Sequence, residues 1–120
     1  MARIAYILAL EEKAGIRKDL IYAAALLHDV GRYTPEEEQM SHHEAGAFLA
    51  KDILLRTGYS ASETEMICRA IRAHKDQKER GITLESILFR ADKLSRSCFL
   101  CDAREECYWP EERKNRTILC

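Results

Sequence analysis

Valine occurs once in this 120-residue chain, at Val30, while alanine and leucine together number 28. Alanine and leucine are strong helix formers, and valine is a residue that strands favour. The chain therefore holds little material for a sheet, and the expected fold class is all-α. Cap and stop signals divide it into about five core helices. The first covers about residues 2–14, with Ile4, Ile7, Leu8 and Leu10 apolar, and Gly15 is expected to stop it. The second covers about 18–30, turns Leu20, Ile21, Ala24 and Leu27 inward, and stops at Gly31. Ser41 and Glu44 form a candidate capping box for a third helix over about 42–56, ended by Gly58. Ser60 with Glu63, or Ser62 with Glu65, opens a fourth over about 62–75, and Thr83 starts a fifth over about 84–97. "TPEE" at 34–37 fits a short helical turn, "DQKERG" at 76–81 a polar loop, and "PEERKN" a solvated helix or loop.

Length and charge narrow the function classes. One domain is expected, large enough to bury a real core. The net charge is −1, from 19 Lys+Arg against 20 Asp+Glu. That balance gives no general pull toward nucleic acid or an anionic membrane. No apolar run is long enough to cross a bilayer. Arg3, Glu11 and Glu12 interrupt the apolar N-terminus at helical spacing, which marks a core helix rather than a signal peptide. The expected location is cytoplasmic, with the five cysteines reduced.

The segment "AAALLHDVGR", residues 23–32, places two ionisable groups where an apolar helix should bury its end. A buried charge is costly unless it is paired or bound to a metal. His28 continues the stripe of Leu20, Ile21 and Ala24. His74 follows Ile67, Ala70 and Ile71 on the fourth helix, and Asp92 follows Leu84 and Leu88 on the fifth. Positions three and four apart share a helix face, so three apolar stripes each end in a metal-competent group. His42 and His43 instead lie in the first turn of the third helix, where an antiparallel packing would bring them beside those ends. Gly46, Ala47 and Ala50 share the face of His43 and permit a close backbone approach.

Each residue also has a bland explanation. A lone histidine on such a stripe is more often a core residue satisfied by a hydrogen bond. Asp92 alone could be a cap or half of a buried ion pair, and Asp29 a helix-end carboxylate. The helix dipole disfavours carboxylates near a C-terminal end, so something cationic should offset Asp29 and Asp92. Jointly, imidazoles and carboxylates without thiolate fit a divalent ion: Mn, Fe, Co, Ni, Zn or Mg.

These segments resemble the HD superfamily of metal-dependent phosphohydrolases over roughly residues 1–96. "AALLHDVGR" is similar to the family's central His-Asp motif, and "FRADKLSR" to its last aspartate motif. "HEAGA" and "AIRAH" resemble histidine segments of the branch that includes the symmetrical dinucleoside tetraphosphatases, which has two metals. The resemblance implies an HD-like helical bundle over 1–97 with a Cys-containing tail at 98–120. It implies His28, Asp29 and Asp92 as metal ligands for one or two ions. His43 and His74 would be second-metal ligands or phosphate contacts. The family carries a further histidine one helix ahead of the His-Asp pair, and no histidine precedes His28 here. The expectation is a chain that starts inside the first ligand helix, with a frayed first turn, or one that works with one ligand fewer.

Such a site activates water for hydrolysis of a phosphate ester or anhydride, with a nucleotide as the expected small-molecule substrate. Asp29 and His74 are candidate catalytic groups. Lys93 is a third, placed to pair with a non-bridging phosphate oxygen, with Arg32 and Arg96 as further phosphate-binding candidates. Arg69, four residues after Glu65, reads as surface charge. No Gly-rich phosphate loop is present, which excludes a P-loop NTPase. The alternative is a non-catalytic HD domain that binds a nucleotide or a protein partner. Apart from these groups, Cys98, Cys101, Cys107 and Cys120 have spacing compatible with structural zinc or an iron–sulfur cluster, or with small buried residues. Cys68 is expected to pack in the core.

Overall fold

The computed structural model of the chain describes residues 1–33, 40–75 and 81–118. Five α-helices run through them: α1 (Ala2–Glu11), α2 (Lys18–Leu27), α3 (His42–Arg56), α4 (Ala61–Ala73) and α5 (Leu84–Leu94). Short 3-10 turns lie at Val30–Tyr33, Cys98–Leu100 and Glu111–Arg113, and no strand occurs among the described residues. The chain is all-α, as its composition predicts. "TPEE" and most of "DQKERG" fall outside the described residues, as does Cys120.

Local capping sets the helix starts. Ser41 Oγ accepts the Glu44 N–H at 3.4 Å and opens α3. For α4 the choice between two boxes falls on Ser60. Its Oγ accepts the Glu63 N–H at 3.2 Å, while the Glu63 carboxylate accepts the Ser60 N–H at 2.9 Å. Thr83 Oγ1 accepts the Ser86 N–H at 3.2 Å and opens α5.

The ends depart more from expectation. α1 stops at Glu11, because Lys13 rather than Gly15 takes the first left-handed position, at φ 54°. The Lys13 N–H reaches Leu10 O at 3.1 Å and the Ala14 N–H reaches Ala9 O at 2.9 Å, the paired bonds of a Schellman ending. α2 ends at Leu27, and the chain tightens into the Val30–Tyr33 turn instead of staying helical to residue 30. α4 ends at Ala73 with His74 as its cap, and α5 at Leu94 with Ser95 as its cap. Only α3 keeps the expected span.

The core lies where α2, α4 and α5 meet, with α1 packed on α2 and α5, and α3 packed on α4. Ile21, Leu54, Ile67, Ile71, Ile87 and Leu88 are fully buried. Each such side chain contributes about 1.5–3 kcal/mol by leaving water. α1 contributes its small residues Ala5 and Ala9, while Leu10 is 59% exposed. Arg90 on α5 holds the Glu12 carboxylate, with Nη2 to Oε2 at 2.8 Å, and so ties down the end of α1. Arg69 pairs with Glu85 on α5 at 2.6 Å, not with Glu65, whose carboxylate is 3.3 Å from Arg72. Cys68 is buried, with Sγ 3.4 Å from Ala47 O.

One backbone contact positions the functional end. Gly31 lies so close to α3 that a Cβ there would stand 2.3 Å from His42 O and 2.4 Å from Gly46 N. A side chain at Gly31 would collide with this backbone, and the turn after α2 is pressed onto the first turns of α3.

Candidate metal centre

His28 caps the C-terminal end of α2 and His74 that of α4, so both imidazoles sit where orphan helix carbonyls are available. His28 Nδ1 donates to Ala25 O at 2.7 Å, and His74 Nδ1 donates to Ile71 O at 2.6 Å. A carbonyl only accepts, so each neutral ring carries its proton on Nδ1. Each Nε2 then keeps a lone pair, the arrangement that orients metal-ligating histidines. His74 is 1% exposed, and its ring meets His28 edge-on at 5.2 Å between centroids.

The carboxylates are divided in a matching way. Arg32 Nε holds Asp29 Oδ2 at 2.9 Å. Lys93 Nζ donates to Asp92 Oδ2, with Arg96 3.5 Å from the same oxygen. The other oxygens face the imidazoles. Asp29 Oδ1 is 3.8 Å from His74 Nε2, and Asp92 Oδ1 is 3.9 Å from His28 Nε2. Asp29 Oδ2 is also 3.3 Å from His28 Nε2. Asp29 Oδ1 is buried with no hydrogen-bond partner among the described residues.

Two donors bound to one ion at about 2.1 Å stand about 3–3.5 Å apart. Three pairs are within about half an ångström of that spacing: His28 with Asp29 at 3.3 Å, Asp29 with His74 at 3.8 Å and His28 with Asp92 at 3.9 Å. His28, Asp29 and His74 form one group whose ligand atoms all lie within 4.8 Å of one another. The His28, Asp29 and His74 donors fit a divalent ion, with each Nδ1 engaged behind it and each Nε2 left open toward it, while Asp92 stands outside that group and approaches it through His28.

His43 arrives from α3 with its ring 4.4 Å from that of His74. His42, His43 and His74 form a second group of ligand atoms within 4.8 Å. The sequence places His42 with His43 in the first turn of α3, beside the other helix ends, but gives a ligand role to His43 alone. Its adjacency in "SHHEAGA" is the available signal, because the two neighbouring rings lie 3.7 Å apart and reach the same His74. His43 Nδ1 is buried without a hydrogen-bond partner among the described residues.

Electrostatics follow from burial. Burial pushes the His43 pKa down to about 4, helped by the nearby His74, His42, Lys75 and Arg32. Burial likewise lowers that of His74, against the hydrogen bond to Ile71 O. Burial pushes the Asp29 carboxyl up, but His28 and Arg32 together hold it below the usual range. Asp92 behaves the same way, its burial outweighed by Lys93 and Arg96. Neutral imidazoles beside ionised carboxylates are the states that bind metal. The cations that offset Asp29 and Asp92 at their helix ends are therefore Arg32, Lys93 and Arg96.

These same three cations open onto a cavity of about 730 Å³. Lys75 and Arg113 add two more positive charges to its walls, and Phe89, Tyr108 and Trp109 add aromatic faces. Lys93 lies 5.2 Å from the Phe89 ring centre and Arg96 lies 4.7 Å from that of Trp109. Residues 98–118 thus pack beside the site. They supply no cysteine cluster: Cys98, Cys101 and Cys107 are free thiols, and among the described residues they form no set of converging ligand atoms.

Relatives share parts of this chain. A protein of Clostridium beijerinckii bearing the name "Uncharacterized protein" is 38% identical over 118 residues, covering 98% of this chain and 74% of its own length. The bifunctional uridylyltransferase/uridylyl-removing enzyme of Streptomyces coelicolor is 36% identical over 58 residues, 48% of this chain but 6% of that enzyme. Ribonuclease Y of Mycoplasma mycoides is 29% identical over 89 residues, 74% of this chain and 19% of its own length. No solved structure matches significantly. The HD domain family model matches residues 1–97, the span that carries His28, Asp29, His43, His74 and Asp92, and the chain belongs to the HD domain family of metal-dependent phosphohydrolases.

Proposed function

We propose that this protein hydrolyses a phosphate ester or anhydride of a small nucleotide, using one or two divalent ions held by His28, Asp29 and Asp92 together with His74 and His43. The observation that carries the reading is shared side chains: Arg32, Lys93 and Arg96 contact the metal-competent carboxylates and also line the cavity. A phosphoryl group in that cavity meets the same cations that hold the carboxylates of Asp29 and Asp92.

When bound, a divalent ion supplies Lewis-acid polarisation and lowers the pKa of coordinated water toward neutrality. The chain's own residues do the rest. Arg32, Lys93 and Arg96 are placed to neutralise non-bridging phosphate oxygens, where charge grows during the reaction. Asp29 orients the attacking water through a carboxylate oxygen that has no other hydrogen bond among the described residues. His74 and His43, kept neutral by burial, keep lone pairs that can bind a second ion or contact a phosphate oxygen through a donated N–H.

The relatives support the class of chemistry. Removal of a uridylyl group and cleavage of RNA, as two of their names state, both break a bond at a nucleotide phosphate. A small nucleotide suits this chain better than a polymer, since its net charge of −1 gives no general pull toward a polyanion. His43 in "HEAGA" and His74 in "AIRAH" favour the symmetrical dinucleoside tetraphosphatase-like branch with two metals. No helix among the described residues is long and apolar enough to cross a membrane. The free thiols Cys68, Cys98, Cys101 and Cys107 suit a reducing cytoplasm.

The test is a metal-supplemented screen of nucleotides with phosphate release as the readout. About one or two ions per chain and release that is lost in Asp92→Ala are expected. Absence of stoichiometric metal at the histidines would move the non-catalytic reading ahead.

A further inference from the structure

The HD match ends at residue 97, yet one wall of the cavity is built from beyond it. Tyr108, Trp109 and Arg113 line the same 730 Å³ space as Lys93 and Arg96. A single side chain secures that wall. Asn115 Nδ2 lies 2.8 Å from Lys93 O, 3.2 Å from Leu94 O and 2.8 Å from Arg96 O. These carbonyls close α5, so Asn115 fastens the segment to the helix end that carries Asp92. The Arg96 guanidinium then stacks 4.7 Å from the centre of the Trp109 ring. Trp109 is thereby committed to holding Arg96, a phosphate-side cation. Tyr108 is not committed: it is 90% exposed, on a pinned segment at the cavity wall.

We propose that residues 108–113 are the base-recognition wall of the site, with Tyr108 as a stacking face for a nucleobase and Arg113 as a cation for a phosphate. This rests on the hydrolase reading above and narrows its substrate to a nucleotide carrying more than one phosphate. The charge argument is direct. Five cations face the cavity, and the two carboxylates offset only part of them. A polyphosphate chain matches that excess better than a single phosphate does. Stacking on an open aromatic face tolerates any base, because every base has a π-face. The wall therefore selects nucleotides over inorganic phosphates without selecting among bases.

The experiment uses the purified full chain and two probes with the same non-hydrolysable P–C–P unit, adenosine 5′-(α,β-methylene)diphosphate and methylenediphosphonate. Affinities are read by calorimetry. Trp109, the one tryptophan in the sequence, reports occupancy of the cavity by fluorescence. The nucleotide is expected to bind about 5- to 160-fold more tightly, the range for one stacked base. Tyr108→Ala should bring that ratio near one, and Tyr108→Phe should restore it, since the ring and not the hydroxyl is used. Tyr108 is exposed, so neither change threatens the fold. Equal affinity for both probes, or an unchanged ratio in Tyr108→Ala, overturns the proposal. Metal-dependent phosphate release reads the parent proposal separately. Release without base preference refutes only the stacking wall, whereas base preference without release refutes only the hydrolysis.

Discussion

Replacing Gly31 by alanine adds one methyl group at the contact that assembles the site. Its Cβ would lie 2.3 Å from His42 O, 2.4 Å from Gly46 N and 2.8 Å from Gly46 Cα. All three are backbone atoms and none can swing aside. Restoring an ordinary contact of 3.4 Å requires a displacement of about 1 Å between the turn after α2 and the first turn of α3. Metal ligands tolerate only about ±0.2 Å, so a shift of that size separates His42 and His43 from His74 and Asp29. The strain of an extra group in a filled space adds about 1–3 kcal/mol of destabilisation. For a chain of this length that is a fall in Tm of roughly 4 °C or more.

Gly46 supplies the control. A Cβ on Gly46 meets Gly31 N at 3.4 Å, Ile71 Cγ2 at 3.5 Å and His28 O at 3.7 Å, all ordinary contacts. Gly46 is inside α3, where alanine is better than glycine by about 0.5–1 kcal/mol. Gly46→Ala is therefore expected to be neutral or stabilising and to keep its metal. The assay pairs thermal unfolding with calorimetric titration of Mn²⁺ into both variants. Normal metal affinity and Tm in Gly31→Ala, or equal damage in both variants, would refute the reasoning.

Three further outcomes follow from the same geometry. The metal-free protein should lose stability as pH falls from about 6.5 toward about 4, because His43 is held down to about 4 by burial while its unfolded counterpart takes up a proton first. Denaturant unfolding across that range checks the sign, and a stability that rises on acidification would contradict it. Asn115→Ala removes the donor to three carbonyls of the α5 end, at a cost of about 1–3 kcal/mol. The emission of Trp109 should shift to the red as the wall detaches from Arg96. Ser60→Ala breaks a reciprocal capping box and should cost about 1 kcal/mol by urea unfolding, with metal binding unaffected.

Much of this protein was legible in its sequence because the signals are local. Scarce valine and abundant alanine and leucine mark an all-α chain, and Ser41, Ser60 and Thr83 mark helix starts, since a cap acts over three residues. The stripes ending in His28, His74 and Asp92 could be placed because helix periodicity fixes which residues share a face. The HD resemblance rested on the same short segments. Tertiary structure decided whatever depends on residues far apart. Lys13 rather than Gly15 takes the first left-handed position and ends α1, while Arg90 holds the neighbouring Glu12. α2 stops early because Gly31 must abut Gly46, a contact across 15 positions that no local preference encodes. His42 joins the cluster only once that contact is made, and Arg69 finds Glu85 rather than Glu65 only once α4 meets α5. The cysteine spacing was compatible with a metal, yet spacing along a chain does not make three sulfurs converge. Tyr108 and Trp109 carry no motif, and the fastening of Asn115 to the end of α5 sets them at the cavity that Lys93 and Arg96 line.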